Sequence, residues 1–272
     1  MSSYEYWAER QAKAQDRITE LNQKQTEAQL KKYYRQSMNK AIGQFEKTYN
    51  TYLANVARGL ENSPATLYRL DTYWQMQAKL REELKKLGDM QSELLSRQFI
   101  KEYIHIYKSA ALHDGSAFSE VSPEAAEQII KQIWCADGSS WTSRIWKNID
   151  KLQEALNEGL VDSVISGANP EKLKHRLMEQ FNVSYGRADN IVRTELTHIQ
   201  AQAARQRYAD AGIKEVQVWA DKDERRCEIC GKLHKQRFPV GAQMPIPAHP
   251  RCRCRIIPVV EVETEQLKLD GF

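Results

Sequence analysis

Between Cys227 and Cys254 the chain carries four of its five cysteines, His249 and four of its eight prolines. The pattern is C-x2-C at Cys227 and Cys230, then 18 intervening residues, then H-x2-C at His249 and Cys252, with Cys254 two further on. A C-x2-C knuckle points both sulfurs at one place. A second short-spaced pair across a loop can then complete a tetrahedron of thiolate and imidazole, and the softness of sulfur favours zinc over magnesium or calcium. A segment stiffened by Pro239, Pro245, Pro247 and Pro250 has little core of its own, so metal binding would supply folding free energy. Five candidates compete for four places, which leaves Cys252 or Cys254 spare and His234 an outsider. Two other readings stay open: reduced cysteines that simply pack, and a dithiol redox pair at Cys227 and Cys230. The redox pair lacks the expected placement between a strand and a helix start. No HExxH, no GxSxG and no H-x-E ahead of the C-x2-C pair occurs, so the expected metal role is structural.

The surrounding charge is uneven. From Lys222 to Arg255 there are nine basic residues against three acidic ones, a local excess of +6, whereas the whole chain carries +4 and the remainder is therefore −2. Such a patch can attract nucleic acid or an acidic protein surface, and it can equally be a solvated face. The candidate contact residues are Arg225, Arg226, Lys232, Lys235, Arg237, Arg251, Arg253 and Arg255. With 41% hydrophobic residues in 272 there is enough apolar side chain for a core. No stretch approaches the roughly 18 to 20 consecutive apolar residues of a membrane span, and the opening MSSYEYWAERQ has no apolar signal core, so a cytosolic protein is expected.

Upstream, helix dominates. Tyr4 to about Gly59 has no proline and one internal glycine. Its stretch from Ala8 to Ala28 is thinly apolar and is expected to be exposed or to await a partner. Leu30, Tyr33, Tyr34, Ile42, Phe45, Tyr49, Leu53, Val56 and Leu60 recur at helical strides and should pack. A second helical region runs from about Ala65 to Leu112, with Leu70, Trp74, Leu80, Leu84, Leu87, Leu94 and Tyr103 in its stripe and a kink expected at Gly88. A loop is expected around His113-Asp114-Gly115. Ser122-Pro123 should start a short helix to Trp134, beside which Cys135 reads as a buried small hydrophobe. Trp141 to Leu160 forms a stripe ending near Gly167. Asn169-Pro170 starts a helix to Phe181, and Ser184 caps another that stops at Gly212. Glu215 to Trp219 alternates like a strand, and Ile256 to Val262 reads as an edge strand around Pro258.

The runs IVRTELTHIQAQAARQRYADAG, VWADKDERRCEICGKLHKQRF and PIPAHPRCRCRIIPV resemble the C-terminal domain of the phage Mu F-like head morphogenesis family. The shared pattern is Arg193-Thr194-Glu195, Tyr208, Gly212, Trp219, Asp223, Arg225, Cys227, Cys230, His249, Pro250, Cys252, Arg253 and Cys254. Arg226 stands where the family usually has Thr or Ser. The resemblance covers roughly residues 140 to 260; the upstream helices match only in being helical. It suggests residues 1–120 as an extended helical region, 121–262 as the family domain with its Cys/His cluster at 222–258, and 263–272 as a tail. The fold class expected is mainly α, with a small α/β C-terminal domain stapled by zinc.

The resemblance implies a minor capsid protein of a tailed phage or prophage, made in the host cytoplasm and carried in the virion head. It implies action at the portal vertex in procapsid assembly, with a part in DNA packaging or ejection. The implied partners are portal, major capsid or scaffolding proteins, and double-stranded DNA. The shared motif also suggests that Arg193 reaches Asp223 and ties helix to turn. Positions two apart on a helix do not face each other, so Arg193 and Glu195 should project to different neighbours. The alternatives are an ADP-ribosyltransferase-like or nuclease-type phage enzyme, with Glu195 or His249 as the residues to change, or a non-specific DNA-binding protein. Neither enzyme comes with the rest of its expected machinery, so no catalytic residue is nominated.

Overall fold

The computed structural model describes residues 3–110, 120–221 and 223–259. The loop expected around His113-Asp114-Gly115, Lys222, the continuation of the last strand to Val262 and the tail 263–272 lie outside the described residues. The elements, in chain order, are α1 (Ser3–Ala57), α2 (Pro64–Tyr68), α3 (Asp71–Ala110), α4 (Pro123–Ile130), α5 (Trp141–Ile165), α6 (Pro170–Asp210), β1 (Glu215–Trp219), α7 (Glu228–Leu233), β2 (Arg237–Pro239) and β3 (Arg255–Pro258). The mainly helical class with a small mixed C-terminal end is as expected. No described helix is long and apolar enough to cross a membrane.

The chain forms two compact units, each assembled from separate stretches. One comprises Met1–Thr19, Glu102–Ser122 and Thr197–Phe272, the other Glu20–Lys101 and Pro123–Leu196. Helices α1, α3 and α6 each contribute a stretch to both.

In the second unit, α5 matches its sequence signature closely. Ser140 caps it by accepting from the Ser143 amide at 3.1 Å, and Trp141, Ile145, Ile149, Leu152, Leu156 and Leu160 are all buried. Asn169 caps α6 by accepting from Lys172 N at 2.9 Å. The break expected between Phe181 and Ser184 is absent, and α6 runs unbroken through both. Ser184 is a buried mid-helix residue whose carbonyl accepts from the Asn148 amide at 2.9 Å, while its hydroxyl lies 3.2 Å from the Tyr34 hydroxyl. A serine that finds such partners inside the fold has no need of the cap geometry its type favours. Burial pushes the Tyr34 phenol up to about 12.

Gly88 marks no break in α3. A β-carbon there would lie 2.5 Å from the Trp146 ring, so the missing side chain makes room for that indole. Leu80, Leu84, Leu87, Leu94 and Tyr103 of the expected stripe are buried, but Trp74 is exposed. Its indole donates to the Tyr68 carbonyl at 3.0 Å and meets Tyr73 edge-on. Likewise Leu53 and Leu60, at the end of the α1 stripe, are exposed, whereas Tyr49 and Tyr52 are buried. Helix α4 stops at Ile130, short of Trp134, so Cys135 is half-buried beside an exposed Ile133 and is not the packed hydrophobe expected.

The expectation for Ala8 to Ala28, a stretch that spans the two units, is overturned. Ala8, Gln11, Ala12 and Gln15 are buried, with Leu21 left exposed. Ala8 and Ala12, one helical turn apart, pack with Ile257 and Trp219. Gln11 and Gln15 both donate to the Tyr208 hydroxyl, at 2.7 and 3.2 Å. Small side chains let the helix approach the sheet, and both amide nitrogens find the Tyr208 hydroxyl there, while the Gln15 Oε1 is buried without a partner.

The three strands lie in the order β2-β1-β3, both pairs antiparallel. Val216 pairs with Phe238 on one side and Pro258 on the other, and Gln217 faces Ile257. Alternation in β1 predicts one wet face, yet Val216, Gln217 and Val218 are all buried. The face bearing Ile257 and Trp219 is covered by the alanines of α1, and the Gln217 amide is satisfied by the Lys235 carbonyl at 2.7 Å. β3 is an edge strand as expected.

Candidate metal centre

Two turns bring the cysteines together. Cys227 caps the short α7, its sulfur accepting from the Cys230 amide at 3.4 Å, so the C-x2-C pair becomes a knuckle with both sulfurs on one side. The other arm, His249 to Cys254, runs straight into β3. Because β1 pairs with both β2 and β3, the sheet holds the two arms side by side.

The five candidate ligands form two triplets that share Cys230: Cys227, Cys230 and His249, and Cys230, Cys252 and Cys254. Within each triplet the donor atoms lie inside 4.8 Å of one another. His249 Nε2 is 3.3 Å from the Cys227 sulfur and 3.1 Å from the Cys230 sulfur, and the sulfurs of Cys230 and Cys252 are 3.8 Å apart. A tetrahedron with zinc–sulfur bonds of about 2.3 Å has a sulfur–sulfur edge of about 3.8 Å, so the donor set fits that ion. The imidazole is set correctly for such a role. Its Nδ1 lies 2.8 Å from the Pro250 carbonyl, and a proton on that nitrogen leaves the Nε2 lone pair facing the sulfurs. His234 belongs to neither triplet; its Nδ1 accepts from the Ala220 amide at 3.2 Å and its ring meets Trp219 edge-on.

The sulfurs are electrically unequal. A hydrogen bond from the neighbouring Cys254 thiol, with backbone amides behind it, holds Cys252 down to about 5, and the same contact together with burial drives Cys254 well up. Burial pushes Cys230 up to about 12, while the Cys230 amide lowers Cys227. On His249 burial works downward, but the Pro250 carbonyl and the facing thiolates carry it upward. Two of the thiols, those of Cys227 and Cys252, are thereby biased toward the thiolate form that a metal ion takes as ligand.

Of the supports around the cluster, Asp223 and Arg253 belong to the pattern read from the sequence, whereas Thr197, Asp16 and Asp221 belong to no such pattern. The Thr197 hydroxyl donates to the Cys252 carbonyl, fixing that arm to α6. Arg253 makes a parallel two-pronged pair with Asp223 and a longer contact to Asp221 at 3.4 Å. Arg255 is 1% exposed; its guanidinium pairs with Asp16 and with Asp221 at 2.8 Å, and donates to the Ala12 carbonyl at 3.1 Å. Burial pulls Arg255 down to about 10, which leaves it charged at neutral pH.

The eight basic residues singled out by composition therefore divide. Arg255 is internal, and Arg253 is half-buried against its acids. Arg225, Arg226, Lys232, Lys235, Arg237 and Arg251 are exposed. Lys232 meets Glu228 at 2.7 Å and Arg237 meets Glu215 at 3.9 Å.

The Arg-Thr-Glu motif behaves differently from the tie expected of it. Arg193 pairs with Glu27 at 2.7 Å and Asp189 at 3.0 Å, while Asp223 is taken by Arg253. Glu195 is 2% exposed, accepts from the Trp134 indole at 3.0 Å and pairs with Arg144. The two charges do project to different neighbours. A carboxylate so enclosed has the surroundings of an internal anchor, and Thr194 completes the motif by donating to the Asn190 carbonyl at 2.7 Å.

Residues 154–257 match the family model described as Phage Mu protein F like protein. That stretch contains the Arg193-Thr194-Glu195 motif and the whole Cys/His cluster, and it bears out the likeness read from those residues. Neither a curated protein nor a solved structure matches the chain.

Proposed function

We propose that a chain whose residues 154–257 carry a Phage Mu F-like segment is a minor head protein of a tailed phage or prophage, acting at the portal vertex during procapsid assembly. The observation that carries this reading is the family match over the segment that builds the Cys/His cluster. The family is one of head morphogenesis, a structural role, and it makes capsid-related proteins the partners of this chain.

Cys227, Cys230, His249 and one of Cys252 and Cys254 would hold a zinc ion, which in such a site supplies cross-linking and no chemistry. The donor separations and the Nδ1 contact of His249 support that assignment. With Glu195 enclosed by Arg144 and Trp134, and the thiols serving as ligands, the site works as an assembly element. The exposed basic residues beside it are the part that meets DNA, through phosphate contacts that fix position and carry no sequence preference.

Mass spectrometry of purified phage particles tests the reading. The expected result is this chain at a few copies per head, enriched in portal-containing fragments after gentle disruption. Particles that lack the chain, produced by cells that express it, would overturn it.

A further inference from the structure

The His249 arm of the cluster begins with a closed turn. The Cys252 amide donates to the His249 carbonyl at 3.1 Å, which folds His249-Pro250-Arg251-Cys252 back on itself. Proline in second place and a positive φ in third, 61° at Arg251, are the marks of a type II turn. Glycine enters that left-handed region freely, whereas arginine enters it under strain. A turn kept tight against that strain fixes the two residues at its ends, and those are His249 and Cys252.

The opposite arm is built on the same plan. Cys227 and Cys230 stand at the two ends of the first turn of α7, where the Cys227 sulfur accepts from the Cys230 amide at 3.4 Å and the Cys227 carbonyl accepts from the Gly231 amide at 2.9 Å. Each arm thus offers two donors from one hydrogen-bonded turn. Cys254 belongs to neither: it lies two residues past the second turn and directly precedes Arg255, where β3 begins.

The contacts of the sulfurs divide Cys252 from Cys254 in the same sense. The Cys252 sulfur is 3.8 Å from that of Cys230, the edge expected of two thiolates on one zinc, and it accepts from the Ala248 and Cys254 amides. Cys227 likewise accepts from the Cys230 and Ile229 amides. What acts on the Cys254 sulfur is the Cys252 and Cys230 thiols together with burial. Amide donors that orient a ligand sulfur are the outer support of a metal site, and the Thr197 hydroxyl adds another by holding the Cys252 carbonyl. Cys254 does border a cavity of about 30 Å3 that Cys227, Cys230 and His249 also line. Bordering that space does not make a ligand, because zinc sits about 2.3 Å from each sulfur, nearer than a water-sized void permits.

We infer that Cys252 is the fourth ligand, completing Cys227, Cys230 and His249, and that Cys254 packs against the ligand sulfurs without joining them. The inference rests on the zinc reading of the cluster and deepens it by naming the cysteine left over. It also gives the strained backbone of Arg251 a task, since the turn aims His249 and Cys252 at one ion.

The test is cobalt(II) substitution of the full chain as purified, read by the sulfur-to-cobalt absorption in the near ultraviolet, which grows with the number of thiolates bound. Zinc content by elemental analysis and far-ultraviolet circular dichroism accompany it. Cys254→Ser should keep about one zinc per chain and the wild-type cobalt absorption. Cys252→Ser should lose its zinc, and cobalt forced in by excess should absorb about a third less, because two thiolates of three remain. If Cys252→Ser does not fold, Cys254→Ser decides alone: three-thiolate absorption without Cys254 requires Cys252 among the ligands.

A Cys254→Ser protein that loses its zinc, or about a third of its cobalt absorption, would overturn the assignment. So would a Cys252→Ser protein that keeps its zinc and the wild-type spectrum. Wild-type protein with neither zinc nor a cobalt band is a separate outcome, which removes the zinc reading itself and the assignment with it.

Discussion

Arg253 and Asp223 face each other as parallel forks, with one nitrogen–oxygen contact of 2.7 Å and one of 2.6 Å. The pair joins the turn after β1 to the entry of β3, one residue from Cys252 and one from Cys254.

That pairing holds the Asp223 carboxyl down to about 2 from its ordinary value near 4. A carboxylate whose folded pKa is depressed adds stability above its unfolded value, and that stability is lost as pH falls through the folded one. Asp223→Asn should therefore melt lower than wild type at pH 7, with the gap closing between about pH 4 and pH 2. A gap that persists unchanged down to pH 2 would assign the effect to something other than this ion pair.

Cys230 is the donor common to both triplets. The purified protein should contain about one zinc per chain by elemental analysis, and Cys230→Ser should abolish it. Cys252→Ser and Cys254→Ser should differ, one retaining metal and the other losing it. Chelation should lower the melting temperature of the wild type and leave that of Cys230→Ser where it is. A metal-free preparation as stable as any other would contradict the assignment.

Arg255 is enclosed between Asp16, Asp221 and the Ala12 carbonyl. Truncating one member of such a buried group leaves its partners uncompensated, so Arg255→Ala should cost about 3 to 5 kcal/mol in denaturant unfolding. Asp16→Asn should cost less, because Asp16 is partly exposed and Asp221 remains. An Arg255→Ala protein within about half a kcal/mol of wild type would fall below what breaking a buried pair costs and show that the guanidinium is not buried in solution.

Gly88 and Trp146 make a size-matched pair. Gly88→Ala raises helix propensity but drives a methyl into the indole, so overpacking of about 1 to 3 kcal/mol should outweigh the gain of about 1 kcal/mol. Gly88→Ala/Trp146→Leu should recover part of the loss. If Gly88→Ala alone stabilised the protein, the close approach would be absent in solution.

The legible parts of the sequence were those in which one local rule acted alone. The stripe from Trp141 to Leu160 gave α5, and the C-x2-C and H-x2-C spacings gave a cluster whose donors do converge. The arm from Ala8 to Ala28 misled because apolar periodicity picks out Ile18 and Leu21, whereas the buried face is made of alanine, of glutamine and asparagine whose amide nitrogens meet distant partners, and of Thr26, which donates to the Asn22 carbonyl one turn back. Ser184 misled for the same reason: its type advertises a cap, and its partners Tyr34 and Asn148 are remote in sequence. Asp16, Asp221 and Arg144 carry no motif at all. Their importance lies in which arginine or glutamate the fold places beside them, and composition over a window sees only the sum of charges. It therefore counted Arg255 with the surface although it is internal.

The buried guanidinium of Arg255 is satisfied by a carbonyl 243 positions earlier in the chain. At a synthesis rate of 5 to 20 residues per second, Ala12 leaves the ribosome roughly ten to fifty seconds before its partner has been polymerised. The opening turns of α1 must spend that interval without the strand they cover, and their polar, alanine-rich make-up keeps so long a wait from becoming an invitation to aggregate. Maturation of this unit is thus deferred until the strand that begins with Arg255 has been made.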